Sequence, residues 1–364
     1  MGDAGPVLVV TGGAGFLGRA VVRALCRPRG APVLAPREVR VLDLRPEAGL
    51  PDVPAGGPRL VPLACDVRDA AAVRRACAGA DAVLHLAALI DWGVRPAALV
   101  RAVNVDGTRH VLEACLAEGV PALVHCSSED AVHHGGPICD GDESLPYPQS
   151  YPNTYCQSKA ESEQLALGAA GRALARPGPG GQTSLGVAVV RPTSIWGGGD
   201  AYHLESLLEL SRRFPLPRMG DGKARFQGIY VENAAHLLLL AARALLEGRP
   251  GVSGQAFYAT DYPARNFFDF FEPVLRALDR RVLPWWLAVP RPLAYGLGVL
   301  NEAVARALKP LVTLTPKISR YGVAFVCQDH TYRTDKAERL LGYAPVCTEA
   351  EAFAETIAHY RKTC

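Results

Sequence analysis

One stretch constrains the fold of this chain more than any other: Thr11-Gly12-Gly13-Ala14-Gly15-Phe16-Leu17-Gly18. It follows an apolar run, Val7–Val10, and opens an amphipathic one, Leu17–Cys26, so it reads as the turn between a strand and a helix. Glycines there permit a tight bend and a close backbone approach, and the first helical N–H groups offer partial positive charge to a pyrophosphate. Gly12, Gly15 and Gly18 stand in GxxGxxG spacing and, with Phe16 and Leu17, form the candidate cradle. Asp43 ends the next strand, Val39–Leu42, where a carboxylate accepts both adenosine ribose hydroxyls and repels a 2′-phosphate. The expected cofactor is therefore NAD rather than NADP, with Arg40 and Arg45 close enough in sequence to offset part of the repulsion. Asp66 and Val67, after a third strand at Leu60–Leu63, are placed to hold the adenine edge, and Ala87 to pack a small side chain beside the cofactor.

Short apolar runs alternate with amphipathic stretches through the first half, the rhythm of βαβ units. Ala70–Ala78 reads as a helix, Ala82–Leu86 as a strand, Ala102–Glu118 as a long helix and Ala122–Cys126 as a strand. A loop then runs to Tyr151, Tyr155–Leu174 has a helical pattern, and Val187–Val190 is a β-branched strand ending in Arg191-Pro192. The expected fold class is α/β: a doubly wound parallel sheet with a smaller, partly discontinuous C-terminal substrate lobe. Residues 1–192 form the dinucleotide-binding domain, with 229–250 (Ile229–Val231 and the Ala234–Leu246 helix) returning to it, and 193–228 plus 251–364 form the lobe.

The lobe's least ordinary stretch is Leu283–Leu311, with Trp285-Trp286 and prolines at 284, 290, 292 and 310. A membrane-spanning helix needs about 20 predominantly apolar residues. Arg291, Glu302, Arg306 and Lys309 interrupt this run, so it reads either as an element lying at a membrane interface or as a buried helical cap or homodimer contact. A net charge of +3, with no block of five like charges, is too small to imply a nucleic-acid surface, and no nucleic-acid partner is expected. The ten cysteines form no CxxC and no zinc-finger spacing, so they read as reduced thiols on the cytosolic side, and no metal is implied. Met1 leads almost directly into a strand, without the pattern of a signal peptide.

Tyr155 and Lys159 stand four residues apart at the start of a helix, hence on one face. An ammonium and an oxidised nicotinamide near a phenol both favour the phenolate, which can take the proton of a secondary alcohol as hydride leaves. Ser128, just past the Ala122–Cys126 strand, lies at the carboxyl edge of the sheet and can hold the substrate oxygen. Asn104, early in the long helix, can bind a water that connects Lys159 to solvent.

With TGGAGFLG, Asp43, CDV, HLAA, NVDGT, CSS, YCQSK, RPTSIWG, IYVENAAH and DKAERLLGY in order, the chain resembles the extended short-chain dehydrogenases/reductases, Rossmann-type enzymes, from Val7 to about Tyr360. GDESLPY, NFFDFF and the Trp/Pro-rich stretch make it most similar to the 3β-hydroxysteroid dehydrogenase/isomerase branch. The resemblance implies Tyr155 as general acid/base, Lys159 as the residue that orients the ribose and lowers the tyrosine pKa, Ser128 as substrate-oxygen partner and Asn104 as relay. It implies oxidation of a steroid or sterol 3β-hydroxyl, with or without Δ5-Δ4 isomerisation, and attachment to the endoplasmic reticulum facing the cytosol; a buried cap at 283–311 would instead make the protein cytoplasmic. Two other functions compete: a nucleotide-sugar epimerase or dehydratase of the same fold, and a catalytically silent NAD-binding sensor or scaffold. Sugar enzymes usually carry an arginine for the substrate pyrophosphate near Phe226, which disfavours the first, and the intact Tyr155 and Lys159 disfavour the second. His133-His134 departs from the family pattern and reads as a pair of exposed loop histidines.

Overall fold

A computed structural model of the chain describes residues 5–91, 95–308 and 318–363. Seven parallel strands make the central sheet: β1 (Val7–Thr11), β2 (Glu38–Asp43), β3 (Arg59–Ala64), β4 (Ala82–His85), β5 (Ala122–Cys126), β7 (Gly186–Pro192) and β10 (Gln255–Ala259), ordered β3-β2-β1-β4-β5-β7-β10. Between β5 and β7 in sequence lies β6 (Ile138–Gly141), which pairs with β11 (His330–Tyr332), while β8 (Ser194–Trp196) pairs with β9 (Gly228–Tyr230).

The inner strands are buried on both faces, which is why β1, β4 and β5 read as continuous apolar runs rather than alternating ones. Helices α1 (Phe16–Cys26) and α7 (Val231–Leu246) pack together on one side. Helices α2 (Ala70–Cys77), α4 (Gly107–Glu118) and α5 (Thr154–Gly168) belong to the other. The short α3 (Ala97–Arg101) runs through a π-helical turn, Ala102–Asp106, into α4. Strand order reverses between β1 and β4, so the ligand crevice opens at their carboxyl ends.

The remaining helices are α6 (Leu204–Leu210), α8 (Phe267–Ala277), α9 (Arg291–Leu308), α10 (Arg320–Val326), α11 (Asp335–Leu341) and α12 (Glu349–Thr363). An aromatic cluster gathers this half of the molecule: Trp196 meets Phe270 edge-on at 5.1 Å and Phe353 at 4.9 Å, and Phe226 meets Phe267 at 5.2 Å.

Three expectations change. Ile229–Val231 does not return to the main sheet, because Gly228–Tyr230 pairs with Ser194–Trp196. The sheet is completed by β10, from within the span read as lobe. The helix of Tyr155 ends at Gly168 rather than Leu174, since Gly171 takes a left-handed φ of 77° and begins the turn toward β7. In the 283–311 stretch, residues 309–311 and the side chain of Arg306 lie outside the described residues. Among the described residues no helix is long and apolar enough to cross a membrane.

Candidate active site

The glycine turn is shaped by contacts that exclude side chains. Gly12 has φ 67°, and a Cβ there would stand 2.8 Å from the Ala87 backbone; a Cβ on Gly18 would meet the Gly12 carbonyl at 2.1 Å. Gly15 is exposed at the N-terminus of α1, where an added Cβ would approach only the Gly12 carbonyl oxygen. No side chain caps this helix and no acidic residue lies in its first turn, so its end keeps its positive potential for an anion. Asp43 accepts a hydrogen bond from the Ala14 N–H at 3.1 Å, which ties this strand-end carboxylate to the turn. Arg40 is turned away: its guanidinium bonds Glu38 and the Ala76 and Ala78 carbonyls, all at 2.7 Å, leaving Arg45 as the arginine near Asp43. The Asp66 carboxylate is forked by Arg68, which holds it below the usual carboxylate range, and Val67 packs buried beside Gly107. This geometry fits a dinucleotide laid across Gly12–Gly18, with its adenosine toward Asp43.

Beneath the turn runs a chain absent from the sequence reading. Thr11 Oγ1 meets His85 Nδ1 at 2.7 Å and accepts the Leu86 and Ala87 N–H groups at 3.2 Å; His85 Nε2 meets Thr108 Oγ1 at 3.0 Å. Full burial, with the Lys159 charge nearby, depresses the His85 pKa to about 3, so the ring is neutral. Thr108 in turn donates to the Asn104 carbonyl at 2.7 Å.

Helix α5 is capped by Asn153, whose side chain accepts the Cys156 N–H at 2.9 Å. It presents Tyr155, Lys159 and Glu163 on successive turns of one buried face. Tyr155 lies beside Ser128, and Lys159 Nζ donates to the Cys126 carbonyl at 2.7 Å. Asn104 is also there, but its amide is committed: Oδ1 accepts the Leu89 N–H at 2.7 Å, and Nδ2 donates to Leu89 O at 3.1 Å and to Ser158 at 2.9 Å. Burial and the Asp130 carboxylate hold the Tyr155 phenol well above its usual value, against a smaller lowering from Ser128. These effects outweigh the lowering expected from Lys159, so the phenol is held in its protonated form.

Two further groups escaped the sequence reading. Glu163, with Arg191, makes a fully buried pair with Nε–Oε1 at 3.0 Å; the same carboxylate accepts Tyr147 OH at 2.7 Å and the Ser127 hydroxyl. Asp130 accepts from Ser128 Oγ at 3.1 Å and from the phenol of Tyr321. An acidic residue two places after a strand-end serine was visible; its partner, 191 residues away, left no local signal. His133 also differs from expectation. It is buried, 5.0 Å edge-on from His330 and 5.8 Å from Tyr321, because the turn Glu129–Val132 folds it inward, and only His134 is exposed.

A glycine-turned dinucleotide cradle facing a Tyr/Lys/Ser constellation at the carboxyl edge of a parallel sheet defines an oxidoreductase of the short-chain dehydrogenase type. Residues 9–289 match the model of the 3-beta hydroxysteroid dehydrogenase/isomerase family, and the chain belongs to that family, NAD-dependent oxidoreductases acting on CH–OH groups. It is 33% identical over 366 residues to mouse 3 beta-hydroxysteroid dehydrogenase type 7, covering 96% of this chain and 94% of that one, and 34% identical over 371 residues to its human counterpart with the same coverage. It is 32% identical over 366 residues to isoform 1 of a 3beta-hydroxysteroid-dehydrogenase/decarboxylase of Arabidopsis thaliana, covering 96% of this chain and 78% of that one. Among solved structures, an epimerase of Methanothermobacter thermautotrophicus superposes with a TM-score of 0.72 at 18% identity over 99% of this chain and 93% of that one. A dTDP-glucose 4,6-dehydratase of Streptomyces venezuelae with NAD bound superposes with a TM-score of 0.68 at 25% identity over 98% of this chain and 97% of that one.

Proposed function

We propose that this enzyme oxidises the 3β-hydroxyl of a steroid or sterol. The observation that carries the reading is the meeting of Tyr155, Ser128 and Lys159 where the sheet opens toward the glycine turn. NAD would supply the hydride acceptor; Gly12–Gly18 would hold its pyrophosphate, Asp43 its adenosine ribose and Lys159 its second ribose. Ser128 receives the substrate oxygen and Tyr155 takes its proton. The Lys159 ammonium, together with an oxidised nicotinamide ring, opposes the burial and the Asp130 charge that keep the phenol protonated. Asn104 shapes the site by tying the Leu89 loop to α5.

An apolar substrate is favoured over a nucleotide sugar by Phe226. It is buried against Phe267 and Phe270, while Arg225 is turned toward Asp329 at 4.0 Å. The lobe also offers a surface for meeting a lipid phase: Trp286 is 80% exposed, and Leu293 and Leu300 of α9 are each 59% exposed. Docking of this surface to the cytosolic face of the endoplasmic reticulum membrane is part of the proposal; apolar side chains with Trp at their margin favour such an interface.

The test is NADH formation against panels of 3β-hydroxysteroids, sterols and UDP-sugars. Tyr155→Phe is expected to lower kcat by about 10²–10⁴-fold, with NADH affinity by fluorescence nearly unchanged. Near-wild-type turnover of that variant, or turnover of sugars alone, would overturn the proposal.

A further inference from the structure

The hydrogen bonds beneath the glycine turn do not stop at Thr108. From α4, Thr108 donates to the carbonyl of Asn104 at 2.7 Å. The Asn104 amide donates to Ser158 Oγ at 2.9 Å, and Ser158 donates to the backbone carbonyl of Tyr155 at 2.8 Å. Together with Thr11 and His85, these residues join the loop that packs on Gly12 to the tyrosine of α5 in one line, and all five linking residues are buried.

Donor and acceptor capacity fixes the direction of every link. A hydroxyl has one proton and two lone pairs. Both lone pairs of Thr11 Oγ1 are taken by the Leu86 and Ala87 N–H groups, so its proton goes to His85 Nδ1. A neutral imidazole that accepts at Nδ1 carries its proton on Nε2, which donates it to Thr108 Oγ1 at 3.0 Å. Thr108 gives its own proton to Asn104. The Asn104 amide is fully used, since Oδ1 accepts the Leu89 N–H while Nδ2 donates to Leu89 O and to Ser158. Moving the imidazole proton to Nδ1 would aim a third donor at Thr11 and orphan a buried hydroxyl proton.

We propose that His85 is a positioning residue: its Nε2–H tautomer fixes the Leu86–Ala87 backbone relative to Tyr155 and so keeps a bound dinucleotide in register with the acid/base. This rests on the reading above only in giving Tyr155 that role. The Leu86–Ala87 backbone is the wall of the glycine turn, close enough that a Cβ on Gly12 would stand 2.8 Å from Ala87. An imidazole suits the link because its two nitrogens point away from each other, so one ring reaches Thr11 at the end of β1 and Thr108 in α4 at once. A carboxamide, with both polar atoms at one tip, does not span that gap. Asn104 is the branch point, since its amide ties in the Leu89 loop as well as α5.

The first readouts need no alcohol substrate. Nitrogen NMR of the full-length protein labelled at histidine is expected to show His85 with an unprotonated Nδ1 and a protonated Nε2. The signature should hold from about pH 8 to about pH 5, since the ring titrates only at about 3. A protonated Nδ1 overturns the proposal, and this arm needs no variant to fold. Thr108→Val removes the hydroxyl and keeps the volume. Its NADH affinity, by fluorescence titration, is expected to fall about three- to tenfold, the scale of one buried hydrogen bond, and Thr108→Ser is expected to restore it. His85→Leu should lose at least as much, and in that background Thr108→Val should cost nothing further, because the two act through one line. Wild-type NADH affinity in Thr108→Val, failure of Thr108→Ser to restore it, or losses that add each overturn the proposal. With saturating NAD, Thr108→Val should lower kcat for the alcohol and leave its KM unchanged; the reverse split would place Thr108 in the alcohol pocket and overturn it. A protein that meets the NMR and NADH expectations but oxidises no steroid removes the steroid reading and leaves the role of His85 standing.

Discussion

The two sides of the cleft are built by different means. The dinucleotide side is held by backbone geometry: Gly12 takes a backbone conformation that side chains disfavour, Asp43 binds the Ala14 N–H of the turn, and Thr11 and His85 are register partners on adjacent strands. The lobe side is held by side-chain contacts between its helices and loops. Arg218 lies 4.7 Å over the Trp285 ring and pairs with Asp269 and Glu272, while α9 meets the body along a narrow strip of small residues, Ala294 and Gly298. A Cβ on Gly298 would stand 2.9 Å from the Arg320 backbone nitrogen. The contrast teaches that the glycine-turn side is fixed by backbone conformation, whereas the other side is assembled from side-chain contacts that single substitutions can replace.

The sharpest way to break the comparison is at the seam. Glu163→Gln leaves the Arg191 charge buried without its counter-ion, a change that typically costs about 3–5 kcal/mol. Chemical denaturation should show that loss together with a rise in KM for the alcohol, since Ser127 beside Ser128 is released; unchanged stability would mean that the pair does not brace the site.

On the dinucleotide side, His85 is neutral in the folded state, with a pKa near 3 against an ordinary value of 6.5. A depressed folded pKa contributes stability above about pH 6.5 that is lost as pH falls toward 3, at up to about 1.4 kcal/mol per pH unit. His85→Gln should flatten this acid limb in denaturation curves taken between those pH values, and an unaltered slope would count against a buried neutral ring.

On the lobe side, the two adjacent tryptophans should behave oppositely. Trp285 packs on Phe268 and donates to Asp269 at 3.3 Å, so Trp285→Ser should cost about 2 kcal/mol, below the range for a fully buried Trp. Trp286→Ser should change stability by no more than about 0.5 kcal/mol while weakening sedimentation with liposomes. If both variants bind liposomes as wild type does, the exposed face of α9 is not a membrane surface.

A further test on the dinucleotide side is Asp43→Ala. Losing a charged acceptor that also holds the Ala14 N–H should raise KM for NAD by about tenfold and relax the discrimination against NADP. Tighter binding of NADPH than NADH by the wild type would instead make Arg45 the reader.

Much of this was legible because it is local. The glycine turn, the strand-end Asp43 and the four-residue spacing of Tyr155 and Lys159 each follow from covalent neighbours and a repeat of 3.6 or 2 residues. Asn104 was legible as a residue of the site, but the commitment of its amide to Leu89 and Ser158 was not. Trp285 and Trp286 looked alike in the chain, and only packing made one an anchor and the other a surface. Strand membership of the second half was misread for the same reason: Gly228–Tyr230 and Gln255–Ala259 are both short apolar runs, and sheet pairing, not composition, separates them.

The sequence by itself therefore determined the α/β class, the glycine turn and the placing of Tyr155 and Lys159 on one helix face, because periodicity and glycine geometry act over a few residues. The tertiary structure decided how those groups are charged and which others join them. Burial sets the Tyr155 phenol and the His85 ring in their neutral forms, and Tyr321 reaches Asp130 across 191 residues. Desolvation and long-range contact depend on what surrounds a group in space, and the linear order of residues does not carry that.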